Sequence, residues 1–294
     1  MKPGVKYALR VLLGLLFIIS ALAKLISVDQ FEIYIFGFRF FGLGLSYLIA
    51  RAIIAMELAL GILLILNMHS KAIYFTSFLI LALFSLFLIG LVIAGNRDSC
   101  HCFGELVDMN PWQSLLKNII LLVLLRLSAG LNSFRIPWKP LWYALVIAGS
   151  IATLFILSPP DNWRYDQYSQ NTTVSEKALN NAFSQGLLPS DLLEGEKVVC
   201  FFSTTCEYCL MAAQKIAILR SKEQFSNGEL TVVFGQGNIE RDPSVFLENS
   251  ELDYQRYLFL DANPFIRITE GTMPLTLVLK EGKIKAKYSY RDIR

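Results

Sequence analysis

Lys197-Val198-Val199-Cys200-Phe201-Phe202-Ser203-Thr204-Thr205-Cys206-Glu207-Tyr208-Cys209 is the stretch on which the fold turns. After Lys197 its residues are branched, aromatic or otherwise apolar as far as Phe202, the signature of a buried strand. Ser203-Thr204-Thr205 breaks that run, and Cys206 opens a helix expected to continue to about Lys222. A thiol at a helix amino terminus meets the partial positive charge of the helix dipole, which favours thiolate. A second thiol three residues on is within reach to resolve a mixed disulfide. A structural disulfide and a two-cysteine metal site are the competing readings of Cys206 and Cys209. Glu207 opposes the thiolate at Cys206 while the helix terminus favours it, so spacing alone leaves the redox potential open. Cys200, midway in the strand, reads as a buried core residue.

Further along, Leu230–Phe234, Tyr257–Leu260, Thr272–Leu279 and Lys283–Tyr288 are strand candidates, the last two joined by a Glu281-Gly282 turn. Before the quoted stretch, Thr172–Phe183 can form an amphipathic helix. Strand, Cys-x-x-Cys helix, strand and a proline-led hairpin, in that order, resemble an α/β thioredoxin-like domain over roughly residues 170–294. The resemblance implies that Pro274 is the cis proline beside the active site and that Met273 offers backbone contacts to a bound peptide. A Trp before the first cysteine and a Gly-Pro dipeptide between the two, both found in thioredoxin itself, are absent.

The first half of the chain has a different character. Of 294 residues 54% are hydrophobic and 17% charged, too apolar for two soluble domains, and most of the charge lies after Pro159. A net charge of +3 with scattered basic residues excludes a nucleic-acid partner. A membrane-spanning helix needs about 20 mainly apolar residues. Five segments approach that length: Val5–Ile26, Gly44–Leu66, a third from the Asn67–Ser70 break to Ala94, Trp112–Leu131, and Leu141–Leu157 before Ser158-Pro159-Pro160. Lys2, Lys6, Arg10, Lys71, Arg126, Arg135 and Lys139 fall on one side, which places the amino terminus in the cytoplasm. Five crossings put the carboxy-terminal domain and the loop after the third helix outside, in a multi-pass plasma (bacterial inner) membrane protein with a periplasmic domain. A cleaved signal peptide ending near Ala21-Leu22-Ala23 is the competing reading of the first segment, and it leaves the later topology unchanged.

Charges within apolar runs need a partner, a wet cavity or a route to the interface. Arg10 and Arg126 lie near cytoplasmic ends and can snorkel. Lys24, Arg51, Lys117 and Glu57 lie in the outer half of the membrane. Glu57 is expected to pair with Arg51 or Lys24, either to hold the bundle together or as part of a site that stabilises thiolate or reduced quinone.

That outer loop reads Asn96-Arg97-Asp98-Ser99-Cys100-His101-Cys102-Phe103-Gly104-Glu105. Two cysteines one residue apart form a redox pair or a structural disulfide, and His101 can lower a thiol pKa or carry a proton. Cys-His-Cys lacks an evident fourth ligand, so no metal is expected. Gly14-Leu15-Leu16-Phe17 with Ser20 and Lys24, Arg51 with Glu57-Leu58-Ala59-Leu60-Gly61, and Cys100-His101-Cys102-Phe103-Gly104 together resemble the DoxX-like and MauE (methylamine utilisation) membrane proteins over roughly residues 5–131. The resemblance implies a four-helix membrane module linked to extracytoplasmic disulfide chemistry or protein maturation.

The expected organisation is a four-helix membrane module over 1–131, a loop and fifth transmembrane helix over 132–158, a linker over 159–171 and a thioredoxin-like domain over 172–294. Two thiol pairs in one compartment suggest a thiol-disulfide oxidoreductase in which Cys206/Cys209 oxidises client thiols and passes electrons to Cys100/Cys102. By analogy with quinone-coupled disulfide-forming membrane proteins, the final acceptor is a membrane quinone near Arg51, Lys117 and Glu57. The partners are then the lipid bilayer and extracytoplasmic clients with thiols, with no covalently bound cofactor. A membrane-anchored assembly factor or chaperone without redox turnover, and a transporter built around Glu57, are the alternatives.

Overall fold

The computed structural model describes residues 2–68, 71–95, 109–130, 137–236 and 242–294. The chain divides into two compact units, Met1–Ile35 with Leu45–Pro159, and Phe36–Gly44 with Pro160–Arg294.

In the first unit, helix α1 (Pro3–Ile26) starts on a proline, whose missing N–H costs nothing at a helix amino terminus. Its buried residues include Arg10, Leu13, Gly14, Phe17, Ser20, Ala21 and Lys24, spaced by three or four so that they share one face. Leu12, Leu15, Ile19 and Leu22 are exposed around the rest of the cylinder. An apolar exterior around an interior that carries charge suits a hydrocarbon solvent, and four helices of the described residues are long and apolar enough to cross a membrane. They are α1, α3 (Leu43–Ile65), most of α4 (Lys71–Ile93) and α6 (Lys139–Leu157), as a multi-pass membrane protein requires.

The fourth expected span is shorter than the sequence suggested. Helix α5 (Pro111–Leu127) has 17 residues, about 25 Å at 1.5 Å per residue. Its start is fixed by a capping box, in which the Asn110 side chain accepts from the Gln113 N–H and the Gln113 side chain accepts from the Asn110 N–H. Its end is fixed by the turn that follows, where Gly130 has φ +72°. Helix α5 packs along α4 and against α1. Helix α2 (Val28–Gly37) was not anticipated; it buries Phe31 and Ile35 in an apolar cluster with Ala21 and Ile54.

Helices α1 and α3 meet at Gly14 and Gly61. A Cβ on Gly61 would sit 2.7 Å from the Gly14 carbonyl oxygen and 2.6 Å from an Ile18 side-chain carbon, so only hydrogen fits there. Near its other end α1 supplies donors to helix carboxy termini: Tyr7 to the Ile65 carbonyl at 3.2 Å, Lys6 to Ala129 at 3.0 Å, and Arg10 to Ser128 at 2.9 Å. Arg10 also hydrogen-bonds Asn67 and is fully buried. It does not snorkel; it satisfies carbonyl groups that lack intrahelical partners.

The second unit is a mixed sheet flanked by helices. Five strands are described, β1 (Glu196–Phe202), β2 (Glu229–Gln236), β3 (Arg256–Asp261), β4 (Leu275–Lys280) and β5 (Lys283–Tyr288), in the order β3-β2-β1-β4-β5. The first three are parallel, while β4 runs antiparallel to both β1 and β5. On one face Val199, Phe201, Val233, Leu275 and Leu277 pack with Leu179 and Ala182 of α8 (Glu176–Ser184) and with Phe265 and Ile268 of α11 (Ala262–Thr269). Alternation along the strands sends Val198, Cys200 and Phe202 to the other face. There Phe202 and Phe234 both contact Phe246 of α10 (Ser244–Ser250).

Residues 159–171 differ from the expected linker. A 3-10 turn over Asp161–Trp163 leads into α7 (Tyr165–Asn171), and both are held by the last residues of the chain. Arg291 pairs with Asp161 at 2.9 Å, and the Thr172 hydroxyl just after α7 hydrogen-bonds Asp292 at 3.0 Å. A polar segment without a hydrophobic pattern reads as a tether until such tertiary partners are known.

Candidate functional site

Helix α9 (Glu207–Ser221) leaves the end of β1 through Ser203-Thr204-Thr205, with Cys206 as its N-cap residue. The Cys206 sulfur accepts the Cys209 backbone N–H at 3.2 Å, taking the role an Asp or Ser oxygen plays at other caps. Cys206 is half-buried, whereas Cys209 in the first turn is fully buried; both are reduced thiols. The two have opposite acidities. The Cys206 thiol is lowered from 9.0 to about 7, first by the hydrogen bond from the Cys209 thiol and then by the backbone N–H groups of Cys209 and Tyr208, against burial and the Glu207 charge. Burial pushes Cys209 far upward, and the neighbouring Cys206 adds to this. One sulfur is therefore a solvent-reachable nucleophile near neutral pH, and the other is a protected thiol that stabilises it.

Cys200 lies beneath them on β1, fully buried, with its thiol pushed up to about 12 by burial. It is a core group, unreactive at neutral pH. The Met273–Pro274 peptide bond is cis and directly precedes β4, whose Leu275 pairs with Phe201. The antiparallel register brings this bond to the end of the sheet from which Ser203–Cys209 departs. Pro274 is buried, while Met273 and Tyr208 are each 45% exposed, so an apolar surface borders the reactive thiol.

Behind that surface lies a group of residues that the sequence reading passed over. Tyr208 packs on Tyr290 with ring centroids 5.3 Å apart, and the fully buried Lys215 ammonium lies 4.2 Å from the Tyr290 ring centre. Lys215 donates to the Tyr290 carbonyl at 3.0 Å and stands 4.0 Å from buried Asp161. A signal for it was present: Lys215 falls among Met211, Ala212, Ile216 and Leu219, the apolar stripe of α9, where a lysine requires a partner.

In the membrane module the four intramembrane charges do not form one cluster. Lys24 donates to both carboxylate oxygens of Glu57 at 2.7 Å and to the Ser20 hydroxyl at 2.8 Å. Lys117 lies within electrostatic range of Lys24 and Glu57. Arg51 is engaged elsewhere: it pairs with buried Glu32 of α2, a partner not weighed from the sequence, and it donates to the carbonyls of Tyr47 at 2.9 Å and Ser158 at 2.6 Å. Of the two partners weighed for Glu57, the structure takes Lys24. Cys100, His101 and Cys102 lie outside the described residues.

Comparison with known proteins bears on both halves. The family model described as "Methylamine utilisation protein MauE" matches residues 2–131, the region where the sequence alone resembles such a membrane module. Over an alignment of 311 residues the chain is 29% identical to "Protein TlpB" of Flavobacterium psychrophilum, covering 88% of this chain and 83% of that protein. No solved structure matches the chain.

Proposed function

We propose that this protein is a membrane thiol-disulfide oxidoreductase that oxidises the thiols of extracytoplasmic clients. The observation that carries the reading is the pairing of a half-exposed Cys206 thiol, acidified to about 7, with a buried Cys209 raised well above its ordinary value. The second unit is read as thioredoxin-like: a central parallel β-α-β, an antiparallel hairpin led by a cis proline, and the cysteine pair opening the intervening helix all support this.

In the oxidised form a client thiolate attacks the Cys206 sulfur, forming a mixed disulfide, and the Cys209 sulfur leaves and takes up a proton. A second client thiolate then attacks the client sulfur of that bond, closes the client disulfide and releases Cys206 as thiolate. The client loses two electrons and two protons, and the Cys206/Cys209 pair gains the electrons. A stabilised Cys206 thiolate is a good leaving group, which favours this oxidising direction.

The pair is re-oxidised by exchange with a Cys100–Cys102 disulfide, whose electrons pass to a membrane quinone. Met273 and Pro274 border the client groove, and His101 serves proton transfer at the membrane loop. This scheme counts α5 as a crossing and places both thiol pairs outside the cytoplasm.

The test is single-turnover oxidation of a dithiol peptide by the full chain in detergent. Cys206→Ser is expected to abolish it. Cys209→Ser, which cannot form the reactive disulfide, is also expected to abolish it, but to trap a mixed disulfide at Cys206 when offered a peptide that already carries a disulfide. Labelling of Cys206 in intact cells by a membrane-impermeant thiol reagent checks the topology. Undiminished oxidation by Cys206→Ser would sink the proposal.

A further inference from the structure

Between α3, α4 and α6 the membrane module holds a cavity of about 690 Å³. Its lining is almost wholly apolar. Ala55 and Ala59 supply the depth, and the wall extends along α6 from Tyr143 to Phe155, with Thr76 contributed by α4. Along α3 the lining runs from Leu48 to Leu63, about 22 Å of helix at 1.5 Å per residue. The space is therefore long and narrow, of a size typical for small-molecule sites.

Arg51 lines this cavity near the amino-terminal end of α3. Its guanidinium has five N–H groups. Four have partners: the Ser158 carbonyl at 2.6 Å, Glu32, the Tyr47 carbonyl at 2.9 Å and the Ser158 hydroxyl at 3.2 Å. One N–H on Nη2 is without a partner among the described residues, on a side chain that is 2% exposed. The positive charge is already balanced by Glu32. The site therefore offers one buried hydrogen-bond donor with no net charge to spare. That suits a neutral carbonyl oxygen better than the phosphate of a lipid headgroup, whose charge would stand unbalanced beside Glu32.

A long apolar body ending in a neutral carbonyl acceptor is the chemistry of an isoprenoid quinone. The geometry points to the α3–α4–α6 cavity as a quinone site, with the Arg51 Nη2–H donating to a ring carbonyl and the isoprenoid tail lying along Ala55, Ala59 and α6. This rests on the proposed thiol relay and deepens it by placing the acceptor. Of the four intramembrane charges expected to surround a quinone, only Arg51 lines the cavity. Lys24 and Glu57 are occupied with each other. Chain direction supports the arrangement, since α3 begins, and α4 and α6 end, on the membrane side from which the Cys100–Cys102 loop departs. In the step served, Cys100 and Cys102 lose two electrons and two protons as their S–S bond forms. The quinone gains both to become the quinol.

The test uses the full chain in nanodiscs with a photoreactive isoprenoid quinone, followed by peptide mapping. Labelling is expected within residues 48–63 and 143–155, suppressed by unlabelled quinone but not by added phospholipid. Ile151→Trp, on a half-exposed position of α6, and Ala59→Phe both fill the cavity and are expected to raise the KM for quinone at least about tenfold. Reduction of a small aromatic disulfide by Cys206 should be unchanged in both, which also shows that they fold. Labelling at Lys24 or Lys117 peptides, displacement by phospholipid, or wild-type quinone kinetics in both filled variants would overturn the site. Cys206→Ser separates the two readings: it should lose client oxidation yet label normally. Normal labelling of the wild type without any thiol oxidation would refute the relay and leave the cavity as a quinone site.

Discussion

Alkylation of Cys206 by iodoacetamide should follow a titration centred near pH 7, two units below the ordinary value of 9.0. At pH 7 about half of Cys206 is then thiolate, against about 1% for an unperturbed thiol, a gain of about 50-fold. A less basic thiolate is intrinsically less nucleophilic, and with a Brønsted coefficient of about 0.45 two units cost about eightfold. The net expectation is alkylation about sixfold faster than a model thiol at pH 7, and slower than it above pH 9. The hydrogen bond from the Cys209 thiol is the largest cause of the shift, so Cys209→Ala should move the midpoint upward, while Glu207→Gln, which removes an opposing charge, should move it down. The same shift stabilises the reduced fold. Because the folded value is depressed, that stabilisation is complete above about pH 9 and is lost as the pH falls through 7. For a half-exposed group it amounts to about 1 kcal/mol after discounting for solvent screening. The assay is a rate profile from pH 5 to 10 with mass-spectrometric identification of the alkylated cysteine. A midpoint at 8.5 or above, or alkylation of Cys209 at neutral pH, would refute the reasoning.

Glu57→Gln should destabilise the membrane module by about 3 kcal/mol by stranding the Lys24 ammonium, while Lys24→Met/Glu57→Leu together should recover most of the loss, read as melting temperature in detergent. Asp161→Ala removes the carboxylate shared by Arg291 and Lys215, and should cost about 3 kcal/mol and open residues 162–170 to limited proteolysis; an uncleaved, equally stable variant would contradict their attachment. Gly61→Ala should lower stability by about 1–3 kcal/mol, because the added methyl must displace backbone as well as the Ile18 side chain; an unchanged melting temperature would show that the helices separate freely.

What could be read from the sequence was what is local. The strand ending at Phe202 and the helix opening after Cys206 follow from a run of apolar residues and its interruption, and the structure starts and stops them within a residue or so. The membrane helices were equally visible, except that α5 stops at Leu127, short of the expected Leu131, before a glycine turn that hydropathy does not weigh. Partnerships at a distance were not legible. Glu32 belongs to a helix too short and too mixed to register, so Glu57 stood as the counter-charge for Arg51 when its partner is Glu32. The segment Asp161–Asn171 is ordered by residues 120 or more positions later, as Asp161 with Arg291 and Thr172 with Asp292 show. The cavity arises where three separated helices diverge, and no single one of them carries its pattern.

The crossing of α1 and α3 at Gly14 and Gly61 acts as a fulcrum. Lys24 lies ten residues beyond Gly14, a lever arm of about 15 Å at 1.5 Å per residue. Glu57 lies only four residues from Gly61 on the facing helix. Tilting α1 by about 10° about the glycines would carry the Lys24 backbone sideways by about 2.6 Å. That is comparable to the whole 2.7 Å separation of the ion pair. A methyl group wedged at position 61 would thus be felt at an ion pair whose lysine stands more than two helical turns from the crossing, and the pair gauges how closely these two helices cross.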